Sequence, residues 1–371
     1  MKFACNSPRR VVRRVFPAAA GTLAALMTAA AWGADYSWTL QTGYAAGDEQ
    51  HQSYVALAEK IEAMSGGRLE IDVSPGGTFV PAFEVIDAVN DGILDAGGGD
   101  GDYLVGRHPA GSLFASSPGF GMDSITLMSW MRYGGGDELF DEYVSEVIGF
   151  SDVQVFAMSP ALAQPFGWFE EPIESVADIE GIKFRTPGLP VDVMEEMGAA
   201  VVTVPGSEVV PALERGVIES AEYFSPKADL TLGLSDIRKI YMMPSYLQIG
   251  LVLNVYVNEA KWQELPEDLK AIVEHAIMAE SADFYWRYLR DNAEALAYME
   301  EEQGVTVVRT PDDVMRAQLD AWEVVLNRHA EEDEFFAGVL ESQRAYADQA
   351  VGLKARITPP LNIALEKYRE E

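Results

Sequence analysis

This chain of 371 residues has one cysteine, four histidines and 27 basic residues against 59 acidic ones, and each shortage excludes something. With Cys5 alone, no disulfide can close within the chain, so stability has to come from core burial. His51, His108, His275 and His329 lie far apart, none at metal-ligand spacing, and read as surface or capping residues. A formal net charge of −32 makes nucleic acid an implausible partner, because phosphate binding requires basic surface. The acid excess otherwise serves solubility and says nothing about fold. It does mean that an anionic ligand needs a local cation.

Catalytic signatures are missing too. There is no Gly-x-Ser-x-Gly, no His-Glu-x-x-His and no Walker loop. The run Gly97-Gly-Gly-Asp-Gly-Asp102 lacks the third glycine of a dinucleotide loop, and its aspartates would repel a pyrophosphate. As a calcium loop it fails at the twelfth position, Gly111, where a bidentate Glu is needed. It reads as a tight turn after a buried strand. Trp168-Phe169, Trp286 and Trp322 read as core or interface aromatics.

One long apolar run exists, at the start. Lys2, Arg9, Arg10, Arg13 and Arg14 precede an alanine-rich stretch from Val15 to Ala31, with small residues at Ala31 and Gly33. This is the layout of a secretory signal over residues 1–33, cleaved after Gly33 and taking Cys5 with it. Arg13-Arg14-Val15-Phe16 also fits the twin-arginine form, weakly, since Pro17 follows. The expectation is a soluble protein of the periplasm.

What remains reads as α/β. Tyr36–Gly43 alternates as a strand, Asp48 opens a helix through Met64 that Gly66-Gly67 stops, and Arg68–Ser74 alternates again. A loop over Pro75–Pro81, a helix near Phe83–Asn90 and a strand at Ile93–Gly97 complete a β-α-β-α-β unit. A second run starts near Val153, with strands at Val153–Met158, Ile182–Arg185, Ala200–Val204 and Val217–Ala221. Helices at Leu189–Met197 and Ser207–Arg215 lie between them. Beyond Pro244, Ile249–Val257 is an apolar strand expected to return to the first unit. Pro266 opens a helix to about Glu302, long enough to brace both units. Acidic helices follow, broken near Gly352 and Thr358-Pro-Pro360. The predicted fold is two α/β lobes with a cleft: lobe I over 34–157, lobe II over 158–247, the return strand and spanning helix over 248–310, and a helical region over 311–371.

Two segments carry the functional signal, Gly181-Ile-Lys-Phe-Arg-Thr-Pro-Gly188 and Glu219-Ser-Ala-Glu-Tyr-Phe-Ser-Pro-Lys-Ala-Asp229. Arg185 ends an apolar strand before a Thr-Pro-Gly turn, and Glu222 follows another. Charges placed there are costly unless paired, which points to a small charged ligand.

At these residues the chain resembles the extracytoplasmic solute receptors of tripartite ATP-independent periplasmic (TRAP) transporters, most closely the branch for 2-oxo and 2-hydroxy monocarboxylates. The resemblance runs from about Tyr36 to beyond Lys354. It rests on Phe120-Gly-Met122, Tyr133-Gly-Gly-Gly-Asp-Glu-Leu139, Gln164-Pro-Phe-Gly-Trp-Phe169, Lys183-Phe-Arg-Thr-Pro-Gly188, Val204-Pro-Gly206, Pro211-Ala-Leu213 with Gly216, Glu222-Tyr-Phe-Ser-Pro226 with Asp229, and Leu253–Trp262. It implies that Arg185 grips the ligand carboxylate with two parallel hydrogen bonds, a task suited to a planar guanidinium. It also implies a cation, Na⁺ or Ca²⁺, held by the Gln164 side chain, the Glu222 carboxylate and the Tyr223 carbonyl, with Gln248 as a neutral fourth ligand. Tyr223 stands where Trp is frequent, Ser245-Tyr-Leu-Gln248 replaces a Trp-rich stretch, and the Asp100–Tyr103 loop departs from the usual run. Tyr103 is the expected wall of the ligand's side-chain pocket. The implied partners are a small carboxylate, the TRAP membrane subunits and a second copy of the chain through its C-terminal helices.

Three other readings stay open at this point. One is a receptor for a C4-dicarboxylate or sugar acid without a cation, for which Lys183 or Lys227 would be the second anchor. Another is a ligand-presenting sensor ectodomain. The third is an exported hydrolase using Glu219 and Glu222.

Overall fold

A computed structural model describes residues 34–369; the export signal expected over residues 1–33 lies outside the described residues. The strands there are β1 (Tyr36–Thr42), β2 (Leu69–Ser74), β3 (Ala96–Gly99), β4 (Val153–Ala161), β5 (Gly167–Phe169), β6 (Lys183–Arg185), β7 (Ala200–Val201), β8 (Ser220–Ala221), β9 (Ile240–Met243), β10 (Leu251–Asn258) and β11 (Thr306–Arg309). They form two sheets, β2-β1-β3-β10-β4 and β11-β9-β5-β8-β6-β7. In the first, β1 runs parallel to β2 and β3 while β10 is antiparallel to β3 and β4. In the second, β6 is parallel to β7 and β8, and β5 is antiparallel to β8 and β9. Helices cover both sheets, giving two α/β lobes.

The first helix, Glu49–Ser65, starts after Asp48 and ends where Gly66 takes φ +68°, its N–H bonding the Ala63 carbonyl. Strand β3 lies further along than Ile93–Gly97. The glycines are strand, not turn, and packing explains them. A Cβ at Gly97 would stand 2.6 Å from Val85, and one at Gly98 2.5 Å from the Tyr54 ring. Helix and ring lie directly on the strand, which only glycine permits.

Spacing puts Val153–Met158 at the head of the second run, yet β4 pairs along its length with β10 in the first sheet, in keeping with a lobe I that reaches residue 157. The second sheet takes β5, β9 and β11 instead, strands of three or four residues that periodicity did not reveal. There β7 and β8 shrink to two residues each.

Strand β10 returns to the first sheet as expected. The helix after Pro266 spans Glu267–Glu302, 36 residues, a length of about 54 Å. It packs on helix Glu49–Ser65 and β4 at one end and on helix Pro226–Leu232 at the other, so it braces both lobes. The expected break at Gly352 does not occur: helix Glu334–Ile357 runs through it. The interruption falls at Asp333, whose side chain accepts the Phe336 N–H at 2.6 Å. Thr358-Pro-Pro360 does end that helix, and Leu361–Arg369 follows. Trp168 stacks on Tyr241 at 4.1 Å and Trp322 is buried, whereas Trp286 is 67% exposed on the long helix. His51, expected at the surface, is buried with its Nδ1 3.0 Å from the Thr42 hydroxyl.

Candidate functional site

The cleft is built at strand ends. Past β1 come Tyr44 and Gln50, past β3 the Asp100–Tyr103 turn, past β6 the Thr186-Pro-Gly188 turn, and past β8 Glu222-Tyr-Phe224. Carboxyl ends of parallel strands leave backbone and side chains free to face a ligand. Gln164 enters from the β4–β5 connection and Gln248 from the β9–β10 connection. Together Tyr44, Gln50, Asp100, Asp102, Tyr103, Gln164, Arg185, Pro187, Tyr223, Phe224, Gln248 and Leu251 enclose a small cavity, with about 20 Å³ open to the centre of a water molecule. Glu222 stands just behind this wall. All five residues predicted for the ligand or cation (Gln164, Arg185, Glu222, Tyr223 and Gln248) are thus brought together, with Tyr103 beside them.

Arg185 is 1% exposed. Its Nε and Nη2 both donate to the Val204 carbonyl, at 3.0 and 2.9 Å, and Nη1 donates to the Glu222 carbonyl at 2.9 Å. A guanidinium has five N–H donors. One hydrogen on Nη1 and one on Nη2 therefore remain without a hydrogen bond among the described residues, the pair that a carboxylate takes two-pronged. Glu222 Oε2 is 4.0 Å from Nη1 and accepts the Thr186 hydroxyl at 2.9 Å instead. Burial pushes the Glu222 carboxyl up to about 8, against the pull of Arg185. At neutral pH it favours the proton, so it does not cancel the guanidinium.

The Gln164 amide is the centre of an oxygen cluster. One of its terminal atoms lies 2.5 Å from Gln248 Oε1 and 3.3 Å from the Tyr223 carbonyl, and touches Glu222 Oε1. Turned one way, the amide nitrogen faces all three acceptors with two hydrogens to give. Turned the other way, four oxygens converge, and either the Glu222 proton or a cation that displaces it satisfies them. Gln248 is held for this: its Nε2 donates to Asp102 Oδ2 and the Ser116 hydroxyl, both at 2.9 Å, which turns Oε1 inward. Two amides, one carbonyl and one carboxylate suit a hard ion such as Na⁺ or Ca²⁺.

The acids Asp100 and Asp102 are more than a turn. Asp100 accepts the Tyr44 hydroxyl at 2.6 Å and the Asp102 N–H at 2.9 Å. Asp102 accepts the hydroxyls of Ser112 and Ser116, and burial with the nearby Asp100 charge pushes its carboxyl up to about 8. A Cβ at Gly188, where φ is +72°, would collide with the Asp102 side chain, so the turn after β6 closes on the first lobe through glycine. Other bonds cross the cleft. Ser112 accepts the Leu189 N–H at 3.1 Å, Tyr223 donates to Asp48, and Ser225 donates to Glu49 Oε2 at 2.9 Å. Glu49 also accepts from Asn292 at 3.1 Å, and burial pushes its carboxyl up to about 7.

Tyr44, Gln50, Asp100, Asp102 and Phe224 were not anticipated as wall residues. A search of every strand's C-terminal end would have found Tyr44, Asp100, Asp102 and Phe224; Gln50, inside a helix, would have escaped it. Glu219 and Glu222 do not form a catalytic pair: Glu219 is at the surface beside Lys183 at 3.3 Å, while Glu222 is 1% exposed. Lys183 and Lys227 are both exposed and neither lines the cavity, so no second cationic anchor is present there among the described residues.

The model of the bacterial extracellular solute-binding proteins, family 7 (DctP), matches residues 41–333. The monocarboxylate 2-oxoacid-binding periplasmic protein of Nostoc sp. strain PCC 7120 is 30% identical over 318 residues, covering 86% of this chain and 84% of that one. A TRAP periplasmic solute binding protein from Pseudoalteromonas atlantica T6c, solved with bound sodium and pyruvate, is similar at TM-score 0.82 and 27% identity, over 90% of this chain and 99% of the other. One from Colwellia psychrerythraea, solved with bound calcium and pyruvate, has the same score, identity and coverage.

Proposed function

Because this chain belongs to the bacterial extracellular solute-binding proteins of family 7, the DctP family of TRAP receptors, we propose that its cleft captures a small 2-oxo or 2-hydroxy monocarboxylate. Arg185 takes the carboxylate. Gln164, Glu222, Tyr223 and Gln248 hold a Na⁺ or Ca²⁺ ion whose charge draws the ligand's 2-oxygen, and Tyr103 walls the short chain. The observation that carries the reading is the guanidinium, buried with two hydrogens to spare beside four converging oxygens. No covalent step is involved: capture and release suffice. The relatives named above, described as binding a 2-oxoacid or solved with pyruvate and an ion, support the ligand class.

The receptor acts in the periplasm and hands its ligand to the TRAP membrane subunits. No described helix is long and apolar enough to cross a membrane. A homodimer through the last helix fits its surface, since Leu361, Ile363 and Tyr368 are 70%, 61% and 81% exposed. Among the described residues Arg185 is the one cationic side chain lining the cavity, which disfavours a dicarboxylate.

Calorimetric titration of the mature chain with pyruvate and with lactate tests the proposal. Binding is expected in Ca²⁺ or Na⁺, and weaker binding after chelation in sodium-free buffer. Affinity that ignores both ions would remove the cation; no heat with any short 2-oxo or 2-hydroxy acid would remove the ligand class.

A further inference from the structure

Gln50 lines the cavity and nothing above employs it. It lies in the first turn of helix Glu49–Ser65, on the first-lobe side of the cleft, while Arg185 reaches in from the second. It is 2% exposed, and its Oε1 is buried with no hydrogen-bond partner among the described residues. A buried acceptor lacking a donor is a standing cost in a folded protein. Its polar neighbours on the wall are provided for. Tyr44 donates to Asp100, Gln248 donates to Asp102, and Asp102 accepts from Ser112 and Ser116. Gln50 is not, and unlike Arg185 and Gln164 it has no role in the reading above, though it lines the space a ligand would fill.

We infer that Gln50 contacts the ligand and sorts 2-hydroxy from 2-oxo acids, its Oε1 accepting the hydroxyl hydrogen of a 2-hydroxy acid. The inference rests on the reading above, in which Arg185 and the cation take the ligand's carboxylate and its 2-oxygen. A 2-hydroxy group then has a hydrogen left to give, and a 2-oxo group has none. The hydroxy acid satisfies the acceptor as it stands; the oxo acid is met only if the amide turns over to present Nε2. A site that hydrogen-bonds a hydroxyl discriminates against the analogue lacking it far better than an apolar pocket does.

The test compares the mature chain with Gln50→Met, which keeps the length and removes the amide, and Gln50→Asn, which withdraws it by one methylene. Lactate and pyruvate are each titrated by calorimetry in saturating Ca²⁺, after circular dichroism has shown each variant folded. The unsubstituted chain is expected to bind lactate more tightly than pyruvate. Gln50→Met is expected to weaken lactate roughly tenfold and pyruvate by less than about threefold, with Gln50→Asn moving the same way. Equal losses for both acids, or no loss in either variant, would overturn the inference while leaving the receptor reading intact. If the unsubstituted chain binds neither acid, the receptor reading fails first and this inference falls with it.

Discussion

Glu280 on the long helix and Arg185 at the end of β6 are both buried charges, and their surroundings differ in kind. Glu280 is fully buried, and its Oε2 takes Lys60 at 2.6 Å while its Oε1 takes Arg287 at 2.7 Å and the Ser53 hydroxyl at 2.8 Å. Every demand of that carboxylate is met inside the chain. Arg185 is held by carbonyls, with its nearest carboxylate at 4.0 Å and inclined to hold a proton. A buried charge that is completely served fixes two elements to each other; one left short of partners is waiting for something to arrive. The first ties the long helix to helix Glu49–Ser65. The second sits at the cavity.

Substitution can break this contrast. The largest effect expected is at Arg185→Ala, which removes the ligand's counter-charge. Affinity should fall by about 10²–10³-fold or more, roughly 3–5 kcal/mol, and calorimetry showing near-normal binding would reverse the comparison. Glu280→Gln should do the opposite. Lys60 and Arg287 are about one third exposed and can rehydrate, so a stability loss of about 2 kcal/mol is expected in urea unfolding. Its affinity per folded molecule should be unchanged, and a matching loss of binding would make both sites one. Glu49→Gln should act least, and only through pH. The folded carboxyl titrates near 7, above its ordinary value of 4.5, so the folded state holds a proton that the unfolded state releases between those limits. Its contribution is complete below about pH 4.5 and is lost as pH rises through about 7. Melting temperature should therefore decline less steeply from pH 5 to 7.5 in Glu49→Gln than in the parent chain. Parallel curves would show that Glu49 does not titrate there.

Long periodic segments were legible in the sequence because burial of one face imposes a rhythm over many residues. Helix Glu49–Ser65, strand β10 and the long helix show it. Strands of two to four residues, such as β5 and β8, are too short to carry a period, and their pairing comes from neighbours distant in sequence. Arg185 and Glu222 stood out because charge follows an apolar run. The convergence of Gln164 and Gln248 on Glu222 was implied by family resemblance, and periodicity alone would not have joined them. Gln50 was invisible for a different reason. A glutamine in a helix's first turn reads as solvent-facing, and only the opposing lobe makes it interior.

Among the described residues the chain passes from one lobe to the other four times: from β4 into β5, from β9 into β10, along the helix that ends before β11, and from helix Asp312–Glu332, packed on Pro190–Glu196, into helix Glu334–Ile357, packed on Ser124–Tyr133. Repeated straps of this kind favour a turning of one lobe against the other over free separation. Departure of a captured acid is then expected to begin with the lobes parting at the cavity, as a clam opens and not as tethered beads drift apart.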